Sequence, residues 1–432
     1  MTHLSDGKIA EPDQKRPVIE RFMTPWRLRL YSRLLLIPLT IPFIVAVLAG
    51  DGDETLTGSL GGDLPAFYNA GLLVNQGGAE RLYDVDVLHE VHSSWAGQVD
   101  QTLPFLYPPF VAGAFTPLAH LPYRAAYVTY TLMMVVVLAL AVALLRKPLQ
   151  RVSRWPVEAF LLAGSFYPMF RSMMGGQNTA LTLLFLVGGY RALDDDRPVL
   201  AGAILGLLFY KPQFAIPVAG LLILRHRRAL IGMTGTAVGL WLWGAAILGR
   251  SWITVWFDGA RRQSDDLIPF VPVWSVDIVG MSEEVFGRGS LLAYGIAGLI
   301  LISLIAALMW LWWTPTLPLD LKFAALTCGI LLIPLHVLWY DAGLLVLPFA
   351  VLANRIGRPA LGRLLALTLL SCSGVLVPQF GGIPQFAVVV LTTIWIATQV
   401  RLESTKVARP RGSASFRLRA AVDEDDHRPS RT

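Results

Sequence analysis

The stretch YPPFVAGAFTPLAHLPYRAAYVTYTLMMVVVLALAVALL, residues 107–145, decides how the whole chain is threaded. It holds an apolar piece running from Tyr107-Pro108-Pro109-Phe110 to His120, a Leu121-Pro122 break, and an unbroken apolar run to Leu145. Crossing about 30 Å of hydrocarbon as a helix takes roughly 17 to 25 apolar residues. The stretch therefore reads as two crossings, or as one crossing preceded by a re-entrant piece, and everything downstream changes side with that choice. Cytoplasmic loops carry the excess of Lys and Arg. One crossing leaves 28 of the 36 Lys and Arg on the cytoplasmic side and seven outside, with Arg124 undecided, whereas two crossings give 14 inside and 22 outside. We adopt one crossing.

The rest of the chain agrees with a membrane class. Its 432 residues are 54% hydrophobic and only 15% charged, against about a quarter charged in soluble domains, and the mean hydropathy is +0.55. The apolar runs lack the period-two alternation of barrel strands, so they read as helices whose backbone groups are satisfied internally. The expected class is all-α, a polytopic membrane protein of about twelve transmembrane helices. Residues 1–29 form a basic cytoplasmic N-terminus, 30–400 the membrane-embedded domain, and 401–432 a charged tail rich in Arg, Ser and Pro that reads as disordered.

Leu30 to Gly50 is the first membrane segment, read as an uncleaved anchor because its apolar run and polar leader are both too long for a signal peptide. Residues 51–106 follow as a large external loop carrying short amphipathic helices, with nine Asp or Glu and one basic residue, Arg81. After residue 145 the expected crossings are 156–173, 178–194, 197–210, 213–225, 229–249, 290–313, 319–336, 340–354, 360–377 and 383–400. Residues 250–289 form a second external loop with helices lying on the membrane surface. Both termini fall on the cytoplasmic side. The two cysteines, Cys328 and Cys372, fall within apolar runs and support neither a disulfide framework nor a zinc site. The net charge of +6 has its source in cytoplasmic loops, and no basic stripe on a soluble domain points to nucleic acid.

This threading sorts the unusual polar residues by side. Asp63 in Gly61-Gly62-Asp63-Leu64-Pro65, Arg171, Gln177, Lys211, Arg261, and His336 with Tyr340 and Asp341 all land outside. Ionisable residues at membrane depth are expensive and usually functional. Each has a structural alternative: Asp63 as the N-cap of a helix from Leu64 to Gln76, Lys211 snorkelling to headgroups, Arg171 pairing with an external acid, His336 as a helix-end histidine. Gathered on one face, they suit transfer of a group away from a phosphate. Arg, Lys and His can stabilise the leaving oxygens, and one carboxylate can deprotonate the acceptor hydroxyl.

The Asp63 context Gly-Asp-x-x-x-Phe-Tyr-x-Ala, Gly77-Gly78, Tyr83-Asp84, Tyr107-Pro108-Pro109, Gly176-Gln177-Asn178, Lys211-Pro212-Gln213 and His336 with Tyr340-Asp341 together resemble glycosyltransferase family 87 of the GT-C superfamily. That family includes polyprenol-phosphate-mannose-dependent mannosyltransferases. The resemblance implies a catalytic Asp in the first external loop, a hexose donor on polyprenyl monophosphate with mannose as the leading candidate, and inversion at the anomeric carbon. It makes Asp63 the base and places Lys211, His336, Arg171 and Gln177 at the donor phosphate. Phe67, Tyr68, Tyr83, Tyr107, Asp341 and Arg261 are the candidates for the sugar and acceptor cleft. No cofactor and no metal are expected. The implied partners are membrane lipids, the lipid-linked donor and a lipid or glycan acceptor, with the site facing out of a bacterial inner membrane. The competing readings are a transporter or flippase of a lipid-linked or anionic substrate, and a non-catalytic relative that binds lipid-linked sugars.

Overall fold

The computed structural model describes residues 25–49, 60–97, 99, 101–267, 274–357, 361–373 and 381–408. Among these residues it is all-helical, with nineteen α-helices joined by short turns and 3₁₀ segments. The N-terminal part comprises α1 (Pro25–Ala49), α2 (Leu64–Asn75), α3 (Val85–Ala96), α4 (Pro109–Phe115), α5 (Tyr123–Leu145), α6 (Gln150–Arg154), α7 (Pro156–Ser165), α8 (Tyr167–Met174) and α9 (Thr179–Asp194). It is followed by α10 (Pro198–Gly206), α11 (Pro212–Arg225), α12 (Arg227–Leu248), α13 (Trp252–Leu267) and α14 (Ile278–Phe286). The last five are α15 (Leu291–Trp313), α16 (Leu319–Leu332), α17 (Val346–Arg355), α18 (Leu361–Ser371) and α19 (Ile383–Ala408).

The protein is a polytopic membrane protein. Four segments are long and apolar enough to cross by length and composition: Tyr123–Leu145, Arg227–Leu248, Leu291–Trp313 and Ile383–Lys406. Between residues 107 and 145 only α5 reaches that length. The seven-residue α4 rises about 10 Å, too little to cross.

Other elements are shorter than the sequence segmentation. The expected crossing 156–173 is two helices that meet at Phe166, whose extended backbone and the following Tyr167-Pro168 restart the helix. The expected 340–354 begins as a 3₁₀ turn over Trp339–Leu345. At the C-terminus α19 runs through 401–408, which the sequence reading had assigned to the tail. Glu403 in this turn accepts from Arg355 at 3.1 Å and from Lys406 at 3.0 Å, tying the extra turns down. Residues 409–432, and so most of the expected disordered tail, lie outside the described residues.

Small residues set the closest helix approach. A Cβ on Gly202 of α10 would fall 1.6 Å from the Ala229 carbonyl oxygen, and one on Gly232 of α12 would fall 1.9 Å from that of Val199. Backbone-to-backbone contact of this kind is how membrane helices gain packing without a hydrophobic drive between them. The described parts of the two expected external loops also rest on each other. The Trp256 indole donates to the Leu106 carbonyl at 3.0 Å, and a Cβ on Gly259 would meet Tyr83.

Candidate functional site

Two glycine turns build the site. Gly61 and Gly62 adopt φ of 90° and 56°, and Gly176 has φ of 74°, a region that side-chain-bearing residues rarely visit. The turns dock backbone to backbone: the Asp63 amide donates to the Gly175 carbonyl at 3.1 Å, and a Cβ on Gly176 would lie 2.5 Å from Leu64 Cβ. This sets Asp63, ahead of α2, beside Gln177 at the α8–α9 junction. The Gln177 Nε2 donates to Asp63 Oδ2 at 2.5 Å. Asp63 holds the N-cap position of α2, yet its side chain makes no capping bond, so the carboxylate is turned to the site. Burial raises its pKa, opposed first by the Gln177 bond and then by Lys211 and Arg171.

A buried ion pair lies beyond. Lys211, between the 3₁₀ turn Leu207–Tyr210 and α11, donates to Asp341 Oδ1 at 2.9 Å with both side chains almost fully enclosed. Thr179, at the start of α9, donates to the same oxygen at 3.3 Å, and Lys211 Nζ sits 5.5 Å from the Phe214 ring centroid. Lys211 thus has a fixed counter-ion, and its ammonium is anchored rather than snorkelling.

Aromatic residues fill the space between. Tyr107 stacks on Tyr210 with ring centroids 6.3 Å apart and accepts from the Asn178 amide at 3.5 Å. Tyr210 donates to Asn178 Oδ1 at 3.3 Å. The Tyr340 hydroxyl lies against Gln177, within electrostatic reach of Asp63 and Asp341. The Gln177 Oε1 is buried and has no partner among the described residues, leaving an acceptor for a ligand hydroxyl.

His336 enters from another side with φ of 68°, one of two non-glycine residues in the left-handed region among those described. The conformation is held from its next residue: Val337 accepts from the Val276 amide at 2.8 Å, and its own amide donates to Asp277 Oδ2 at 3.4 Å. Asp277 is buried and also accepts from Ser275 and from the Gly280 amide. Burial lowers the His336 pKa, and Asp277 and Asp341 oppose that.

The remaining candidates divide. Arg171 is exposed on α8, near enough to act on Asp63. Phe67 packs tightly between Tyr107 and Phe115, with ring centroids 4.8 and 4.9 Å away. The Tyr68 hydroxyl donates to the Leu121 carbonyl and that of Tyr83 to the Tyr107 carbonyl, at 2.8 and 2.9 Å. These three rings therefore brace the loop that carries Asp63 and Tyr107. Arg261 stands exposed on α13. Site residues absent from the sequence selection are Tyr340, Asn178, Thr179, Tyr210 and Asp277. Tyr340 and Asn178 stood in the quoted motifs and Tyr210 directly precedes Lys211 in another, whereas Thr179 and Asp277 carried no local signal. Among the described residues no group of three or more His, Cys, Asp or Glu could hold a metal ion.

The arrangement offers one carboxylate with a raised pKa, an anchored ammonium, an amide with a free acceptor and a backbone-posed histidine, all at one end of the bundle. The sequence model described as glycosyltransferase family 87 matches residues 105–337, more than half of the chain. The match includes Tyr107, Gln177, Asn178, Lys211 and His336, while Asp63 and Asp341 lie outside it. No curated protein and no solved structure matches the chain.

Proposed function

The chain belongs to glycosyltransferase family 87, and we propose that it moves a hexose, mannose being the leading candidate, from a polyprenyl-phosphate sugar to an extracytoplasmic lipid or glycan acceptor. The observation that carries this reading is the half-buried Asp63 carboxylate, held by Gln177 and facing the Lys211–Asp341 pair. In the step, Asp63 takes the proton of the acceptor hydroxyl. The acceptor oxygen attacks the anomeric carbon from the face opposite the phosphate. The carbon–oxygen bond to phosphate breaks, its electron pair leaves on polyprenyl monophosphate, and the configuration inverts. A carboxylate whose ionised form is disfavoured by burial is a stronger base than a solvated one. Positive groups at Lys211 and Arg171 stabilise the departing phosphate, and His336, whose charged form burial disfavours, offers a ring N–H to it.

A lipid-borne donor is supported by the neighbouring groove. A cavity of about 520 Å³ is lined by Pro108 and Pro212, the residues that follow Tyr107 and Lys211 in the chain, with Phe110, Phe209, Trp241 and Trp256. Such a wall suits an isoprenoid chain and not a nucleotide. An enzyme is favoured over a transporter because the sequence carries no evident internal repeat and the site's charged residues are expected on one face.

The test offers purified wild type, Asp63→Asn and Lys211→Ala the donor polyprenyl-phosphate-mannose with a membrane lipid extract. Wild type is expected to transfer sugar, and Asp63→Asn to lose at least about a hundredfold, the lower end of a general base contribution. Equal transfer by Asp63→Asn removes the base assignment, and no transfer by wild type from any polyprenyl-phosphate sugar removes the reaction. For the proposed topology, a cysteine near residue 150 should resist an impermeant thiol reagent in intact cells. Labelling there overturns the threading.

A further inference from the structure

The end of the bundle opposite Asp63 holds a lysine that the transfer reaction does not use. Lys322, in the first turn of α16, is almost fully buried. Its ammonium donates to the Thr314 carbonyl at 2.7 Å and the Trp312 carbonyl at 3.4 Å, capping the C-terminus of α15. Those bonds satisfy two of its three protons and leave its charge uncompensated. Asp320, two residues earlier, is committed to Arg355 through a fork of 2.6 and 2.7 Å bonds. The charge that acts on Lys322 is Arg225, of the same sign.

Arg225 ends α11, and α11 packs against both α15 and α16 at this point. Arg225 is exposed and has no carboxylate partner among the described residues. Next to it, half-buried His226 meets the Trp312 ring edge-on at 6.1 Å and lies within electrostatic reach of Lys322 and Arg225. The Trp312 indole Nε1 is buried with no acceptor among the described residues. Two cations, an imidazole and an orphaned indole N–H thus converge where three helices meet, and among the described residues no acid pairs with them. Trp310 and Trp313 on the same turn are exposed, the placement of an aromatic belt at the boundary between hydrocarbon and headgroups.

A buried charge near the membrane boundary without a counter-ion is costly. Basic pockets between membrane helices bind anionic headgroups for this reason. We infer that Arg225, His226, Lys322 and the Trp312 indole form a binding site for a negatively charged phosphate group, supplied by an anionic phospholipid of the leaflet opposite the catalytic site. The lipid phosphate faces Arg225 and Lys322, its oxygens accept from the indole and imidazole, and its acyl chains run along the exposed apolar faces of α12 and α15. The site is separate from the transfer chemistry, and its lipid is structural.

Native mass spectrometry of the full-length protein, with phosphatidylglycerol or phosphatidylcholine added, tests this. At roughly fivefold per cation near a membrane surface, Arg225→Ala should weaken phosphatidylglycerol retention about fivefold. Lys322→Gln should weaken it more, and phosphatidylcholine should be held weakly by every form. Arg225 is exposed at a turn, so its variant keeps the fold, which size-exclusion chromatography checks. Stabilisation of wild type but not Arg225→Ala by millimolar inorganic phosphate, with phosphatidylglycerol ineffective, keeps the phosphate site and moves its source to solution. Equal phosphatidylglycerol retention by wild type and Arg225→Ala, or equal retention of the two lipids by wild type, overturns the site. Neither readout depends on sugar transfer, so failure here leaves the proposed reaction standing.

Discussion

Replacing Gln177 by Ala removes the amide that holds the proposed base without touching the carboxylate itself. The bond is 2.5 Å long, and the backbone tie from the Asp63 amide to Gly175 survives, so Asp63 stays in place. A hydrogen bond to a charged group contributes about 1.5–3 kcal/mol. Asp63 is partly open to solvent, so the lower value applies, about 1.5 kcal/mol, or about tenfold. The sign follows from the causes: burial already raises the Asp63 pKa, and Gln177 is the largest influence lowering it. Loss of Gln177 therefore raises it further. A base works in its ionised form, which is lost as pH falls through the raised pKa. The acid limb of kcat/KM should lie above that of an ordinary aspartate in wild type and move higher still in Gln177→Ala, with about tenfold lost on that limb and convergence with wild type at alkaline pH. The assay is kcat/KM against pH with the polyprenyl-phosphate donor. A uniform loss at every pH, with the limb unmoved, refutes the reasoning and makes Gln177 a substrate contact alone.

Asp341→Asn leaves Lys211 buried without its counter-ion and should cost about 3–5 kcal/mol of stability, read as a lower thermal midpoint in detergent. Asp341→Asn with Lys211→Met should recover part of the loss, and no recovery refutes the pairing. Gly176→Ala puts a Cβ against Leu64 at a φ that alanine resists. It should separate Asp63 from Gln177 and lower kcat far more than it raises KM. Asp277→Ala frees the Val337 amide and should release His336 from its left-handed conformation, seen as faster modification of His336 by diethylpyrocarbonate in mass spectrometry. An unchanged modification rate there removes the positioning role of Asp277.

The membrane class was legible because apolar runs and the Lys and Arg bias are local or additive signals. The single expected crossing between 107 and 145 matches the one helix there of crossing length, α5, while the side assigned to it rests on the charge count alone. The break at Phe166 was less visible, although Pro168 marks it, because the apolar run continues through both helices. Sidedness put Asp63, Gln177, Lys211 and Asp341 on one face but could not pair them. Lys211 and Asp341 are 130 residues apart, and nothing local distinguishes a lysine that binds phosphate from one already bound to a carboxylate. Phe67, Tyr68 and Tyr83 looked like cleft residues because aromatic rings serve packing and sugar binding alike. Arg261, from the second expected external loop, stands exposed on α13.

The docking of Gly61-Gly62 on Gly175-Gly176 also orders events during synthesis. In the proposed topology the loop that carries Asp63 is made and translocated more than a hundred residues before the turn that receives it. Until α8 and α9 insert, Asp63 is a solvated carboxylate with no neighbour to hold it. In the proposed reaction, activity can therefore appear only after α8 and α9 are in place, and a molecule inserted only as far as α7 carries the proposed base in an inert form.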